Sequence, residues 1–214
     1  MLCTRNLTSA GRQDLIDEMK PYSQSCDENC EPIFSVIQPL LLDCSSMLEI
    51  GSGTGQHAVY FAARLPQLIW YTSDCSENHA GIKMWLEDAE SDNLSGPLDL
   101  NVCSSAWPEM RFDAVFSANT AHIMHWTEVT AMFAGVGDVL VSGGRFLLYG
   151  PFNHAGRYTS ESNARFDDWL RCRDPDSGIR NFEDLDALAH QAGMVFKEDF
   201  AMPVNNRILY WEKQ

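Results

Sequence analysis

The stretch MLEIGSGTGQH, residues 47–57, decides the fold of this 214-residue chain. A short, mostly apolar segment runs directly into Gly51, Gly53 and Gly55, and a helical pattern begins at Gln56. Glycines at such a turn let the backbone approach a ligand closely, and the following helix offers unpaired N–H groups at its N-terminus. The stretch therefore predicts a strand–turn–helix unit that binds a ligand.

Outward from this unit, short apolar runs alternate with helical patterns, as in a mostly parallel sheet covered by helices on both faces. Strands are predicted at residues 47–50, 68–73, 98–102, 114–118, 145–149, 195–202 and 207–211. Helices are predicted at 56–64, 79–89, 127–141, 160–171 and 184–192. The short turn between the last two strands predicts that they pair antiparallel.

The domain prediction is a single α/β domain over residues 1–214. Residues 1–45 are interpreted as an N-terminal cap segment, and residues 46–214 as the α/β core. A helix within the cap is expected to be kinked or split at Pro39, because proline lacks the N–H of a helix interior and clashes with the preceding turn.

Composition narrows the classes of partner. The chain has 30 Asp and Glu against 15 Lys and Arg, a formal charge of −15, which would repel a nucleic-acid backbone. Its apolar runs are strand-sized and residues 1–13 are polar and interrupted, so neither a membrane span nor a secretion signal is expected. The 7 cysteines form no C-x-x-C pair, which favours reduced thiols and a cytoplasmic location.

The glycine spacing discriminates between two nucleotide ligands. A dinucleotide fingerprint, G-x-G-x-x-G, would place its third glycine at position 56, where this chain has Gln56. The observed G-x-G-x-G resembles instead the first motif of class I S-adenosylmethionine (SAM) methyltransferases. In that motif the loop passes under the amino-acid end of the cofactor, and an acidic residue, here Glu49, stands two positions before the first glycine. A purely structural turn and an NAD(P)-dependent oxidoreductase remain as alternatives.

The next two strands predict the nucleoside contacts. Asp74 ends the second strand, 19 positions after Gly55, where a carboxylate can accept hydrogen bonds from ribose hydroxyls; its alternative role is a helix N-cap. The third strand ends near Asn101, where class I methyltransferases usually carry a carboxylate that binds the adenine amino group. Asn101 can accept that bond and the Val102 N–H can face a ring nitrogen, with Asp99 as the substitute candidate. The predicted cofactor-binding residues are Glu49, Gly51, Ser52, Gly53, Gly55, His57, Asp74, Cys75, Asn101, Val102 and Asn119.

The fourth strand predicts the catalytic side. Asn119 and His122 follow this strand and should face the crevice at the carboxyl ends of the central strands. Asn119 is expected to position the methyl acceptor, and His122, or Tyr22 on the cap, to receive a proton. No metal site is predicted, because His122 and His125 lack a nearby carboxylate or thiol at ligand spacing.

Aromatic and polar residues further along complete the predicted acceptor site. Trp126 and Phe152 lie beside the crevice in the sequence pattern, either under a flat acceptor or packed in the core. Residues 150–167 are interpreted as a substrate loop or lid that leads into a helix and contains Arg157, Ser160 and Asn163. Helix capping is the alternative role of Ser160.

Six stretches together resemble the DUF938, or methyltransferase-like protein 26, family: LEIGSGTGQHAVYFA, FSANTAHI, LLYGPF, TSESNARFD, RDPDSGIR and the pair Asn205–Asn206. The resemblance runs from about residue 21 to residue 211. It implies the class I methyltransferase (Rossmann-like) fold, a doubly wound seven-stranded and mostly parallel sheet with an antiparallel last strand. It also implies SAM as the cofactor, but no substrate. A small-molecule acceptor is predicted from the charge and from the lack of room for a recognition domain.

The chain departs from that family at two positions. In SQSCDENCEP, Glu28 stands where the family has an arginine, which reverses the local charge, although Ser23, Asn29 and Pro32 are retained. Asn101 replaces an aspartate. Such changes leave a SAM-binding sensor or scaffold without transferase activity as the alternative function.

Overall fold

A seven-stranded sheet forms the centre of the protein in the computed structural model, which describes residues 20–104 and 106–214. The strands are β1 (Ser46–Ile50), β2 (Ile69–Asp74), β3 (Leu94–Asp99), β4 (Phe112–Ala118), β5 (Leu140–Gly150), β6 (Phe152–Asn153), β7 (Arg180–Asn181), β8 (Met194–Ala201) and β9 (Arg207–Lys213). The helices are α1 (Gln24–Leu40), α2 (Gln56–Ala62), α3 (His79–Glu87), α4 (Trp126–Val139), α5 (Glu161–Arg173) and α6 (Phe182–Gln191). Residues 1–19 of the predicted cap lie outside the described part.

The strand order is β3-β2-β1-β4-β5-β9-β8. Strands β1 to β5 pair in parallel, whereas β9 is antiparallel to both of its neighbours, β5 and β8. Short strands β6 and β7 pair separately. This arrangement confirms the predicted doubly wound, mostly parallel sheet with an antiparallel last strand. The chain order reverses between β1 and β4, and in such sheets ligands bind outside the carboxyl ends of the strands at that point.

Both faces of the sheet are covered. Along β5, Phe146 and Leu148 belong to the core formed with α4 and α6, whereas Leu147 and Tyr149 belong to the core formed with α1 and α2. This alternation follows from the two-residue period of a strand, and burial on both sides explains why the central strands are almost continuously apolar.

Strand β3 begins and ends earlier than the predicted range 98–102. It starts at Leu94 and includes Gly96 and Pro97, which mask a strand pattern but are tolerated here because β3 is an edge strand. Asn101 therefore follows the strand by two residues instead of lying within it. Strand β5 also begins early, at Leu140, and α4 ends at Val139, two residues before the predicted end.

Helix α1 is continuous from Gln24 to Leu40, in contrast to the expected break. Pro39 is the next-to-last residue of the helix, so the proline lies where the helix ends and does not break it. Ser23 caps the first turn, its side chain accepting from the Cys26 N–H at 3.4 Å. Within the described part of the chain, no helix has the length and apolar character needed to cross a membrane.

Candidate functional site

A cleft of about 1520 Å³ opens at the carboxyl ends of the parallel strands. Its walls come from the glycine loop, the loops after β2, β3 and β4, the end of β5, one side of α1, one face of α5 and the turn before β9. Pockets for a single drug-sized ligand usually measure about 300–1,000 Å³, so this cleft has room for two molecules side by side.

The glycine loop presents its backbone to the cleft. Gly51 has φ +70°, and a Cβ there would lie 2.6 Å from the Thr120 side chain. Gly53 has φ +59°, and a Cβ there would meet nothing within 4 Å and would take up cleft space. The N–H groups of Gly51 and Ser52 both donate to the Ser73 carbonyl at 3.0 Å, which ties the loop to β2. The loop is thus a fixed cradle that only glycine leaves open.

Asp74 joins the end of β2 to this cradle. Its Oδ2 accepts from the Gly53 N–H at 2.7 Å, and its Oδ1 accepts from the Cys75 N–H and the Asn78 side chain, both at 2.8 Å. A carboxylate has about four acceptor positions, so one remains for a ligand hydroxyl. Asp74 and Cys75 both line the cleft, as does Glu77, which belongs to no recognised sequence motif.

Two predicted cofactor residues lie behind the cradle instead of in the cleft. Glu49 is 1% exposed and accepts from the Ser52 hydroxyl at 2.9 Å and the Trp70 indole at 3.0 Å. Burial raises the pKa of Glu49 to about 7, although these two hydrogen bonds oppose the shift. Gly55 is the N-cap of α2, with φ +90°. Both residues support the shape of the loop.

At the third strand, Asn101 and Val102 line the cleft as predicted, whereas Asp99 does not. The Asn101 side-chain oxygen accepts from the Cys103 N–H at 3.1 Å.

A polar network that sequence reasoning missed connects α1, α2, β5 and the turn before β9. His57 Nε2 lies 2.6 Å from the Asn29 Oδ1, and Asn206 donates to the Tyr149 hydroxyl at 2.8 Å. The Asn29 side chain also bonds to Tyr149. All four residues line the cleft. Burial lowers the pKa of His57 to about 4, so its ring is neutral and donates to Asn29.

Asn119 and His122 meet at the other end of the cleft. Asn119 has φ +59°, and its N–H donates to the Tyr149 carbonyl at 2.9 Å. His122 is 5% exposed, and its ring lies 5.3 Å from the Phe166 ring, edge to face. Burial, with a smaller contribution from Arg180, lowers the pKa of His122 to about 4. The third predicted catalytic residue, Tyr22, is 62% exposed and does not line the cleft.

Helix α5 contributes aromatic residues to this end. Phe166 and Trp169, three residues apart on one helix face, stack with ring centres 5.8 Å apart and line the cleft. Ser160 caps the helix by accepting from the Asn163 N–H at 3.1 Å, which is the alternative role considered for it. In the sequence, the i, i+3 spacing of Phe166 and Trp169 within FDDW indicates that both rings lie on one helix face.

The aromatic residues proposed from sequence lie elsewhere. Phe152 is 1% exposed and belongs to the core, and Trp126 lies outside the cleft, beside Arg180. Arg157 is exposed and does not line the cleft either. Phe152 is therefore packed in the core, which was one of its two predicted positions, and neither Trp126 nor Phe152 contributes to a cleft wall.

His125 does not line the cleft, but it belongs to a cluster with Asp174, which does. Its Nε2 lies 2.7 Å from the Asp174 carboxylate, and the ligand atoms of His125, Asp174 and Asp176 all lie within 4.8 Å of one another. Asp174 raises the pKa of His125 through their hydrogen bond. The sequence did not reveal these carboxylates because they lie some fifty positions away. An ion pair accounts for this exposed group.

Solved methyltransferase structures share this fold. An O-methyltransferase family protein from Burkholderia thailandensis aligns with a TM-score of 0.78 at 12% identity, covering 96% of this chain and 60% of that one. Mitomycin 7-O-methyltransferase gives 0.78 at 11% identity, with 96% and 58% covered. Human N-acetylserotonin methyltransferase in complex with SAM gives 0.74 at 14% identity, with 95% and 55% covered. The chain thus spans somewhat more than half the length of these structures.

The family comparison covers nearly the whole described chain. The model of the family described as "Protein of unknown function (DUF938)" matches residues 20–213, which include α1, the glycine loop and every strand of the sheet. The chain therefore belongs to the DUF938 family.

Proposed function

We propose that this protein is a SAM-dependent methyltransferase that acts on a small-molecule acceptor. The observation that carries the proposal is that one cleft joins a nucleoside-type cradle, formed by the glycine loop and Asp74, to an end lined by Asn119 and His122. The shared fold with solved methyltransferases supports it. The charge of −15 disfavours a nucleic acid as the acceptor.

The cradle fits SAM in shape and charge. The backbone of Gly51, Ser52 and Gly53 would face the cofactor, Asp74 would accept from a ribose hydroxyl, and Asn101 with Val102 would contact the adenine. When bound, SAM supplies a methyl group on a positively charged sulfur. The carboxylates that line the cleft are Glu28, Asp74, Glu77, Glu128 and Asp174, against a single arginine among the described lining residues, Arg173. This excess of negative charge favours a cationic ligand.

A nicotinamide dinucleotide fits less well. Gln56 takes the place of the third glycine, its Oε1 accepts from the Ser23 N–H at 2.6 Å and its Nε2 donates to the Ser23 carbonyl at 3.2 Å. These bonds hold the start of α1 against the first turn of α2, where a dinucleotide would require close backbone approach.

We assign to His122 the proton that the acceptor must lose. Its imidazole is neutral at physiological pH, lines the cleft and forms no hydrogen bond to another described residue. The proton would pass from the acceptor hydroxyl or amine to an imidazole nitrogen and then to solvent. The Asn119 side chain would orient the acceptor. Tyr22, outside the cleft, has no part in this step.

Calorimetric titration tests the cofactor assignment. Wild-type protein should bind SAM and S-adenosylhomocysteine (SAH) but not NADH. Gly53→Ala should weaken SAH binding on the order of tenfold or more, because its Cβ occupies the cradle at positive φ. Gly143→Ala is the matched control, since Gly143 also has positive φ (+78°) with open space around it but does not line the cleft. NADH binding without SAH binding would reject the proposal.

Transfer of a labelled methyl group tests catalysis against the alternative of a SAM-binding sensor or scaffold. The protein is incubated with SAM carrying the label and with the small-molecule fraction of a cell extract. Label in small molecules supports the enzyme, whereas tight binding without transfer supports the alternative.

The described cysteines are free, which supports a reducing compartment such as the cytoplasm.

A further inference from the structure

The loop that carries His122 is held by a second segment of the chain. Four consecutive backbone carbonyls of the loop, at positions 121–124, each accept a hydrogen bond from residues 177–180. These donors belong to the stretch RDPDSGIR, which is distant from the loop in the sequence. We call the three donor residues the brace: Ser177, Gly178 and Arg180.

The first two brace residues bond to the middle of the loop. The Ser177 hydroxyl donates to the Ile123 carbonyl at 2.8 Å, and the Gly178 N–H donates to the His122 carbonyl at 2.9 Å. Ser177 is 5% exposed, so water has little access to compete for its bond. The backbone of His122 is therefore fixed directly by the brace.

Arg180 bonds to both ends of the same run of carbonyls. Its Nε donates to the Ala121 carbonyl at 3.0 Å, and its Nη2 donates to the Met124 carbonyl and, at 2.8 Å, to the Asp176 carbonyl. Because the guanidinium is planar and rigid, it fixes the spacing of these acceptors. Loss of Arg180 would release both ends of the loop together.

The brace is also joined to α5. The Ile179 N–H, between the last two brace donors, donates to Asp167 at 2.6 Å, and Asp167 is 1% exposed. The neighbouring residue, Phe166, places its ring 5.3 Å from the His122 ring. The backbone and the ring of His122 thus contact two elements that are bonded to each other.

Charge pairing does not account for Arg180. The residue is half-buried, and each of its hydrogen bonds within the described chain goes to a neutral carbonyl. Removing a cation from water without a counter-charge costs free energy. What this arginine contributes is therefore the position of the loop.

Arg180 also acts on the protonation of His122. Its positive charge adds to the effect of burial, and together they lower the pKa of His122 to about 4. Among the other charged residues, Arg171 pairs with Asp167 at 2.8 Å, and Asp174 pairs with His125 at 2.7 Å. The charged residues on the elements around His122 are Glu128 on α4, Asp167, Arg171 and Arg173 on α5, Asp174 after α5, and Arg180.

We propose that Arg180 is a positioning residue of the candidate site, which holds the loop so that the His122 ring stays at the cleft wall. The inference rests on the proposed function, because that function assigns the acceptor's proton to His122. Arg180 does not line the cleft, so it acts on the reaction only through the loop.

Arg180→Met tests the proposal, and Arg171→Met is the matched control. Both arginines line the same small cavity of about 220 Å³ outside the cleft, but Arg171 bonds within α5 and not to the loop. The SAH dissociation constant of wild type and both variants is measured by calorimetry and should be the same, because the cradle is untouched.

NMR spectroscopy with and without SAH gives two readouts of the loop. The first is the titration of the His122 ring between about pH 5.5 and 7.5. The second is hydrogen exchange of the Ile123 and Met124 amides, which both donate to the Thr120 carbonyl at 2.9 Å. The Val115 amide in the buried part of β4 is the reference, because a general loss of stability would affect it as well.

In wild type and Arg171→Met, the His122 ring should stay unprotonated over this pH range. In Arg180→Met it should become protonated within the range, and the two loop amides should exchange about tenfold or more faster relative to the reference amide. An unchanged titration and unchanged exchange in folded Arg180→Met, or equal changes in Arg171→Met, would overturn the inference.

Two milder variants serve if Arg180→Met does not fold. Arg180→Lys keeps the charge without the planar fork, so loop exchange should still be faster than in wild type. Ser177→Ala removes one brace bond and no charge, and it should also speed loop exchange. Wild-type exchange in both variants would contradict the brace.

The labelled-methyl assay connects the brace to catalysis. At saturating SAM, Arg180→Met should transfer label to the small-molecule fraction about tenfold or more slowly than Arg171→Met, because a displaced proton acceptor loses its alignment. Equal rates in the two variants would contradict a positioning role. Wild-type protein that neither binds SAH nor transfers label would instead overturn the proposed function.

Discussion

Glu49 supports the glycine loop from below without reaching the cleft. Its carboxyl accepts from Ser52 in the loop and from Trp70 on β2, and it is almost wholly buried. Sequence reasoning placed it correctly next to the loop but assigned it to the cofactor, because the direction of a side chain on a strand depends on register. Its two partners are neutral, so burial outweighs them and raises the pKa to about 7.

This shift makes stability depend on pH. The folded state holds a proton on Glu49 that the unfolded state releases, so this contribution is present below the ordinary carboxyl pKa and is lost as pH rises toward 7. Wild-type protein should lose up to about 3 kcal/mol relative to Glu49→Gln over that interval. Urea unfolding at a series of pH values measures it. Glu87→Gln, at an exposed helical site, should follow wild type; parallel curves for all three proteins would refute the expectation.

The prediction for catalysis concerns the replacement of His122. His122→Asn should lower single-turnover methyl transfer on the order of 100-fold or more, because the proton acceptor is lost, and should leave SAH affinity unchanged. His125→Asn, at the surface, is the matched control. Since the pKa of His122 is about 4, the wild-type rate should show no rise centred near the ordinary histidine pKa. A rise in the wild-type rate near that pH, absent from His122→Asn, would contradict the lowered pKa of His122.

At the scale of elements, periodic patterns predicted the central strands and the helices, whereas the bounds of irregular segments were not predicted. The run LIWYTSD is unmistakably a buried strand, but β3 contains Gly96 and Pro97, which only its edge position permits. The cleft walls from α1 and α5 were also missed in part. Asn29 and Phe166 meet the cleft only through long-range packing, and a local pattern carries no information about that.

Helix α5 should be sensitive at its first turn. Ser160→Ala removes the cap to the Asn163 N–H and should cost about 1 kcal/mol of stability. Ser142→Ala, at an exposed position with no side-chain hydrogen bond, is the control. Equal stability of the two variants, measured by urea unfolding, would disprove the capping role.

At the scale of the whole molecule, charge and topology act together. The chain has a net charge of −15, and the described lining of its cleft is also rich in carboxylates. Low-dielectric walls concentrate such a field inside a cleft, so the protein attracts cations to the place where the parallel strands end.

Salt should therefore separate two closely related ligands. SAM carries one more positive charge than SAH, so its affinity should fall several-fold more steeply when ionic strength rises from about 0.02 M to about 0.5 M. Titration calorimetry of both ligands at each salt concentration measures the difference, with SAH as the internal control. A parallel decline of the two affinities would mean that the field plays no part in cofactor binding.

The reversed direction of β9 has a practical consequence for handling the protein. From Arg207 opposite Gly150, β9 runs back along β5 to Glu212 opposite Arg145, and the Gln214 N–H donates to the Gly193 carbonyl at 3.0 Å. Gln214 therefore lies at the amino-end edge of the sheet, opposite the cleft. A biotin attached there would fix the molecule to a sensor chip with its entrance facing the flow, so ligands would reach every immobilised copy equally.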